Sequence, residues 1–204
     1  MKRSKHYQYL QEFQALRLER DYSHLGKQRQ YTILADFFFN EMYGPKDFQA
    51  RDSQARRLHQ FVHLAPGLSM RDIEVTLDLL DITVQLDHEL AEVLAKMNVP
   101  VPFDEAMYDE AYFRADAYAP RVKQIGLIGD SLRRVHRLAQ IPLLGPALNN
   151  TKMLAKMMGM GELHRFLRKG YAALVVVDAL EPFLVEVSTK ELERLNRIYG
   201  VTST

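Results

Sequence analysis

Cysteine is absent from this chain of 204 residues. Its absence excludes disulfide cross-links and thiolate chemistry and gives no support to an oxidising compartment. Long apolar runs are absent as well. The longest, Ala172 to Val177, falls far short of the ~20 residues that span a bilayer. The basic start, Met1-Lys2-Arg3-Ser4-Lys5, leads into Tyr-Gln-Tyr-Leu-Gln-Glu-Phe rather than an apolar signal core. A cytoplasmic protein with no integral membrane segment is expected. The chain also lacks a Gly-x-Gly-x-x-Gly or phosphate loop and a Gly-x-Ser-x-Gly elbow. With no cysteine and no placed Ser–His pair, nucleophilic catalysis has no candidate. No segment reads as a clear strand, and there is no repeat or low-complexity tract.

Net charge is +1, so bulk charge does not make the chain a polyanion binder. The distribution is less even. Residues 72–116 carry twelve acids against two bases, a balance of −10, and residues 120–170 carry ten bases against two acids, a balance of +8. These halves either face each other or solvate two surfaces. Arg133, Arg134 and Arg137 form a basic edge, but nucleic-acid binding would want a more basic domain or a recognisable motif, and none is expected.

What the chain does contain is apolar spacing of helical period, cut into seven or eight segments. Tyr7, Leu10, Phe13 and Leu16 start the first helix. Tyr31, Leu34, Ala35, Phe38 and Met42 mark the second, ended by Gly44-Pro45. Asp47 would cap a third running to about Leu64. Ser69-Met70-Arg71-Asp72 resembles a capping box and opens the longest helix, to about Met97. Val99-Pro100-Val101-Pro102 is a stiff connection before a short acidic helix from Asp104. Pro120 suits the first turn of the next helix, which ends near Gln140. A Met-rich segment, Pro146 to Met158, reads as core filler. A long helix from Glu162 must bend or stop near Pro182, and Ser188-Thr189-Lys190-Glu191 would cap the last. Gly126 and Gly129 read as sites of close helix packing. The expected fold is all-α, an irregular helical bundle in one domain over 1–204, with sequential helices as neighbours.

Residues 37 to 52, Phe-Phe-Phe-Asn-Glu-Met-Tyr-Gly-Pro-Lys-Asp-Phe-Gln-Ala-Arg-Asp, are the most distinctive stretch. They resemble the signature of bacterial FFLEELY-motif proteins: Phe37, Phe38, Glu41, Tyr43, Gly44 and Pro45 fit, while Phe39, Asn40 and Met42 depart. The late stretch Leu163 to Tyr171 fits more loosely. The resemblance implies an all-helical bacterial protein and supplies no catalytic residue.

Helical projection at ~100° per residue then locates polar side chains on apolar faces. Arg51, Asp52 and His59 share the arc of Phe48, Ala55, Leu58 and Val62. Asp87 falls among Leu80, Val84, Ala91 and Leu94. Glu41 borders the stripe of the second helix. An ionised carboxylate left unpaired in such a place costs several kcal/mol, so Asp87 should hold a partner or a proton. Glu74, Asp78, Asp81, Gln85, Glu89, Glu92 and Lys96 share the opposite, water-facing arc. His59 and His63 stand at i and i+4, but no His-Glu-x-x-His pattern supports a metal, and no metal or other cofactor is expected.

Two readings of this cluster stand side by side. It is a structural network in which Arg51 pairs with Asp87 or Glu41, or Glu41, Arg51, Asp52, His59 and Asp87 line a pocket. The pocket would serve a non-enzymatic protein that binds a small ligand or a protein partner. Alternatives are a small enzyme using these carboxylates and His59 for acid–base chemistry, and a structural protein that self-associates as a homodimer through its Met-rich segment.

Overall fold

A computed structural model describes residues 4–42, 53–55 and 69–202. Every described element is helical. Ser4 caps α1 (Lys5–Gly26) by accepting from the Tyr7 amide. A short turn leads to α2 (Thr32–Phe37), which continues as a π-helical turn over Phe38–Met42. The predicted third helix, with its Gly44-Pro45 corner and Asp47 cap, lies outside the described residues apart from the helical residues 53–55.

Ser69 and Asp72 close a complete capping box at the start of α3 (Met70–Lys96). The shorter acid suffices there because Asp72 sits in the first turn, beside the amide it caps. Asp104 caps α4 (Glu105–Arg114). The central helix, α5 (Tyr118–Ala139), carries Pro120 in its first turn and ends at Gln140. Two short helices follow, α6 (Leu144–Asn150) and α7 (Lys152–Met157). They lead to α8 (Gly161–Leu174) and α9 (Glu181–Tyr199), the latter closed by Gly200 in the left-handed conformation.

Three sequence expectations are corrected. Ser188 to Glu191 cap nothing, because they lie inside α9. That helix starts seven residues earlier at Glu181, where Pro182 occupies the first turn and its missing N–H goes unneeded. The Met-rich segment is not core filler: Met153 and Met157 are 76% and 79% exposed, Met158 is half-buried, and only Met160, beyond the segment, is buried. Gly126 does not mark a close helix contact, since a Cβ there would meet open space, and Gly129 approaches only Arg133 of its own helix.

Helix α5 packs on α3, α6, α8 and α9, and α2 packs on α1 and α8. Neighbours in space are therefore only partly neighbours in sequence. Two apolar clusters result. One gathers Leu18, Tyr22 and Leu25 of α1 with Leu34, Phe38, Leu132, Leu174 and Phe183. The other joins Tyr7 and Leu10 of α1 to Leu90, Leu94, Phe103 and Tyr108. Helix α1 spans both, and between its two apolar ends it turns the polar side chains Gln14 and Arg17 inward. The acidic arc of α3 faces water as projected, from Glu74 to Lys96. Among the described residues, no helix is long and apolar enough to cross a membrane.

Candidate functional site

Between the two apolar clusters lies a polar layer built by four helices. Gln14 and Arg17 enter it from α1, Asp87 from α3, Arg121 and Gln124 from α5, and Glu191 from α9. Asp87 is 5% exposed. Gln14 donates to its Oδ1 at 3.3 Å, and the Arg121 guanidinium stands 3.8 Å from the same oxygen. Burial pushes the Asp87 carboxyl above its ordinary value, and Arg121 and Gln14 only partly counter it.

Arg121 is satisfied elsewhere. It donates to Gln124 Oε1 at 3.0 Å and to the Leu86 carbonyl at 3.2 Å, and it lies over the Tyr112 ring. Gln124 passes the chain on to the Thr83 hydroxyl. Arg17 forms a two-pronged pair with Glu191 at 2.8 and 2.9 Å. Burial pulls its guanidinium down, but the carboxylate outweighs that and leaves it above its ordinary value. Tyr22 donates to Glu191 at 2.7 Å. The layer encloses a cavity of about 70 Å³. That is room for a few water molecules, well below the ~300–1,000 Å³ of ordinary ligand sites.

Glu41 belongs to a different network. The π turn carries it onto α8, where Arg165 donates to it at 3.1 Å and Lys169 at 2.6 Å. One turn earlier, Phe37 stacks near Phe166 with ring centroids 5.2 Å apart and lies against Gly170. A Cβ on that glycine would stand 3.0 Å from the Phe37 ring, so the close approach of α2 to α8 depends on the missing side chain.

Behind Phe37 opens the second cavity, about 200 Å³ and walled almost wholly by apolar groups. Among the described residues, Leu79 of α3, Leu132 and Val135 of α5, Leu148 of α6, and Phe166 and Leu174 of α8 contribute to it. Ser131 also stands in the wall, and its buried hydroxyl has no hydrogen-bond partner among the described residues. Asp72 borders the cavity with its carboxylate fully engaged. One oxygen accepts from Arg134 and Arg137 at 3.0 Å each, and the other from the Ser69 amide and hydroxyl. Burial would raise this carboxyl, but the Ser69 and Arg134 hydrogen bonds outweigh it and hold it below its ordinary value.

Of the five residues predicted to share a site, Glu41 and Asp87 are both buried and sit in separate networks with different cations. Arg51, Asp52 and His59 lie outside the described residues. Arg17, Glu191 and Arg121 were not anticipated, although the projection that found Asp87 also finds them. Arg17 follows Tyr7, Leu10 and Gln14 on one stripe, Glu191 follows Leu184 and Val187, and Arg121 opens the stripe of Ile128, Leu132 and Val135. The apolar cavity left no sequence signal, since its walls read as ordinary core.

A family model described as a domain of unknown function (DUF8198) matches residues 1–204. No curated protein and no solved structure matches the chain.

Proposed function

The chain belongs to the DUF8198 family, a membership that carries no activity with it, and we propose from the geometry that it binds a small, mainly apolar molecule in the cavity between α3, α5, α6 and α8. The observation that carries this reading is the size and lining of that cavity. Protein interiors hold few voids larger than a water molecule. A partly open apolar hollow of about 200 Å³ leaves its wall side chains without packing partners on one side, a loss that an apolar ligand would remove. An engineered apolar cavity of ~150 Å³ accepts benzene, so a one-ring aromatic or a short alkyl chain is of suitable size. A hydroxyl or carbonyl on that ligand would give Ser131 its missing partner.

The polar layer around Asp87 supports the structural alternative instead. Its cavity is small, and its charged groups hold one another. Binding without catalysis is thus the reading for the protein as a whole. We keep with it the bacterial FFLEELY-type identity drawn from Phe37 to Pro45 and the cytoplasmic location drawn from the absence of cysteine and of an apolar signal core. The burial of Phe37, Phe38 and Glu41 gives those motif residues a structural role on α8 and in the core.

The test is occupancy. Native mass spectrometry of the full chain, followed by thermal melts with one-ring aromatics and short-chain alcohols, should show a retained or added small molecule that raises Tm. Val135→Phe, which fills the cavity, should abolish that rise without lowering the melt of the unliganded protein. Ser131→Ala should remove any preference for alcohols over hydrocarbons. A wild-type melt indifferent to every probe, or one that Val135→Phe leaves unaltered in their presence, would sink the reading.

A further inference from the structure

We propose that the α6–α7 segment docks this protein onto an anionic lipid surface. Helix α7 buries none of its residues against the rest of the protein. Met153 and Met157 are 76% and 79% exposed, Leu154 is 45% exposed, and Leu143 at the head of α6 is 66% exposed. Single exposed apolar side chains are normal on a protein surface. Here four occur within one short stretch, and three share one helix.

Their order around α7 is specific. At ~100° per residue, Met153 and Met157 lie on one strip, Leu154 lies on its far side, and Lys152 and Lys156 line its near edge. Both lysines are exposed and hold no ion pair among the described residues. An apolar strip edged by long cations is the arrangement of a helix lying in a lipid interface. The thioethers enter the acyl boundary while the ammonium groups reach up to the headgroups. From Leu144 to Lys169 the chain carries five bases against the single acid Glu162, and although Glu41 holds Arg165 and Lys169, the surroundings remain net positive and reinforce the attraction.

Charge also decides between candidate partners. A second copy meeting this face across a two-fold axis would gather four lysines and no acid of α7 into one interface, because such an interface uses the same patch twice. A neutral apolar groove would leave the lysines without a role. An anionic bilayer satisfies both parts of the patch. With only one exposed turn and a half, the contact should be weak, reversible and sensitive to salt. This inference is independent of the apolar cavity, since it rests on the outward side chains of α7.

The experiment is co-sedimentation of the full chain with two kinds of vesicle, phosphatidylcholine alone and phosphatidylcholine mixed with phosphatidylglycerol. Binding is expected to the mixed vesicles only and should fall as salt is raised. Met153→Asp with Met157→Asp, and separately Lys152→Glu with Lys156→Glu, should each weaken it roughly tenfold or more. These positions are exposed, so melts of both variants should match the wild type and show that folding is intact. Equal sedimentation with both vesicle types, or variants that bind as the wild type does, overturns the proposal. So does self-association removed by the methionine pair with no vesicle binding, which would make this face an interface between copies.

Discussion

Arg17 and Glu191 lie 174 positions apart and meet through two parallel hydrogen bonds of 2.8 and 2.9 Å. The pair ties α1 to α9 inside a polar layer whose floor and ceiling are apolar clusters. The same carboxylate also takes the Tyr22 hydroxyl, so one side chain satisfies two buried donors.

Removing that carboxylate should therefore be severe. Glu191→Ala leaves the buried Arg17 guanidinium with only Asp21, at 3.4 Å, as counter-charge and the Tyr22 hydroxyl with only the Val187 carbonyl, at 3.4 Å. The expected loss is about 3–5 kcal/mol, read as a lower urea midpoint at unchanged m-value. A shift of less than ~1 kcal/mol, the scale of an exposed pair, would show that the layer is more hydrated than its burial implies.

Asp87 should make stability depend on pH in the opposite sense to an ordinary paired acid. Its folded pKa lies above the unfolded value of 3.8, so the folded state keeps a proton that the unfolded chain has released. Stability from this group is fully present below the unfolded value and declines as pH rises through the folded one. Asn at the same place does not titrate. The stability of Asp87→Asn relative to wild type should therefore improve between about pH 3 and pH 7. Urea titrations at both ends of that range decide it, and a trend that favours Asp as pH rises would reverse the assigned direction.

Two glycines separate packing from propensity. A Cβ on Gly145 would stand 2.5 Å from the Tyr171 hydroxyl oxygen and 2.8 Å from Cζ, whereas one on Gly126 meets nothing within 4 Å. Gly145→Ala should cost about 1–3 kcal/mol by displacing the Tyr171 ring. Gly126→Ala, inside α5, should stabilise by about 0.5–1 kcal/mol. Thermal melts of the two variants should move in opposite directions.

Much of the fold was legible because it rests on local rules. The Ser69–Asp72 box, the Asp104 cap, Pro120 in a first turn and Gly200 beyond a last turn are each set by a few neighbouring residues. The water-facing arc of α3 follows from period alone, as does the burial of Asp87. Partnership was not legible. Nothing in the spacing says that Asp87 meets Arg121, that Asp72 takes Arg134 and Arg137, or that Glu41 is held by α8. Those pairings depend on which helices become neighbours, and α3 with α5, or α2 with α8, are not consecutive. The start of α9 was misplaced because Ser188 to Glu191 has capping chemistry, while Pro182 supplies a start that the backbone uses first. The cavity was invisible because a void is a property of packing between elements, and apolar wall residues look the same whether the space between them is filled or empty.

The π turn at Phe38–Met42 has a consequence in terms of chain length. A π turn closes over one more residue than an α turn, so this stretch holds a single residue beyond what a regular helix would need. Wound as a regular α-helix, the same residues would turn about 100° further by the end of the stretch. Glu41 would swing away from Arg165 and Lys169, and the aromatic run would lose its facing toward Phe183. The signature Phe37 to Met42 is thus a matter of winding as much as of chemistry.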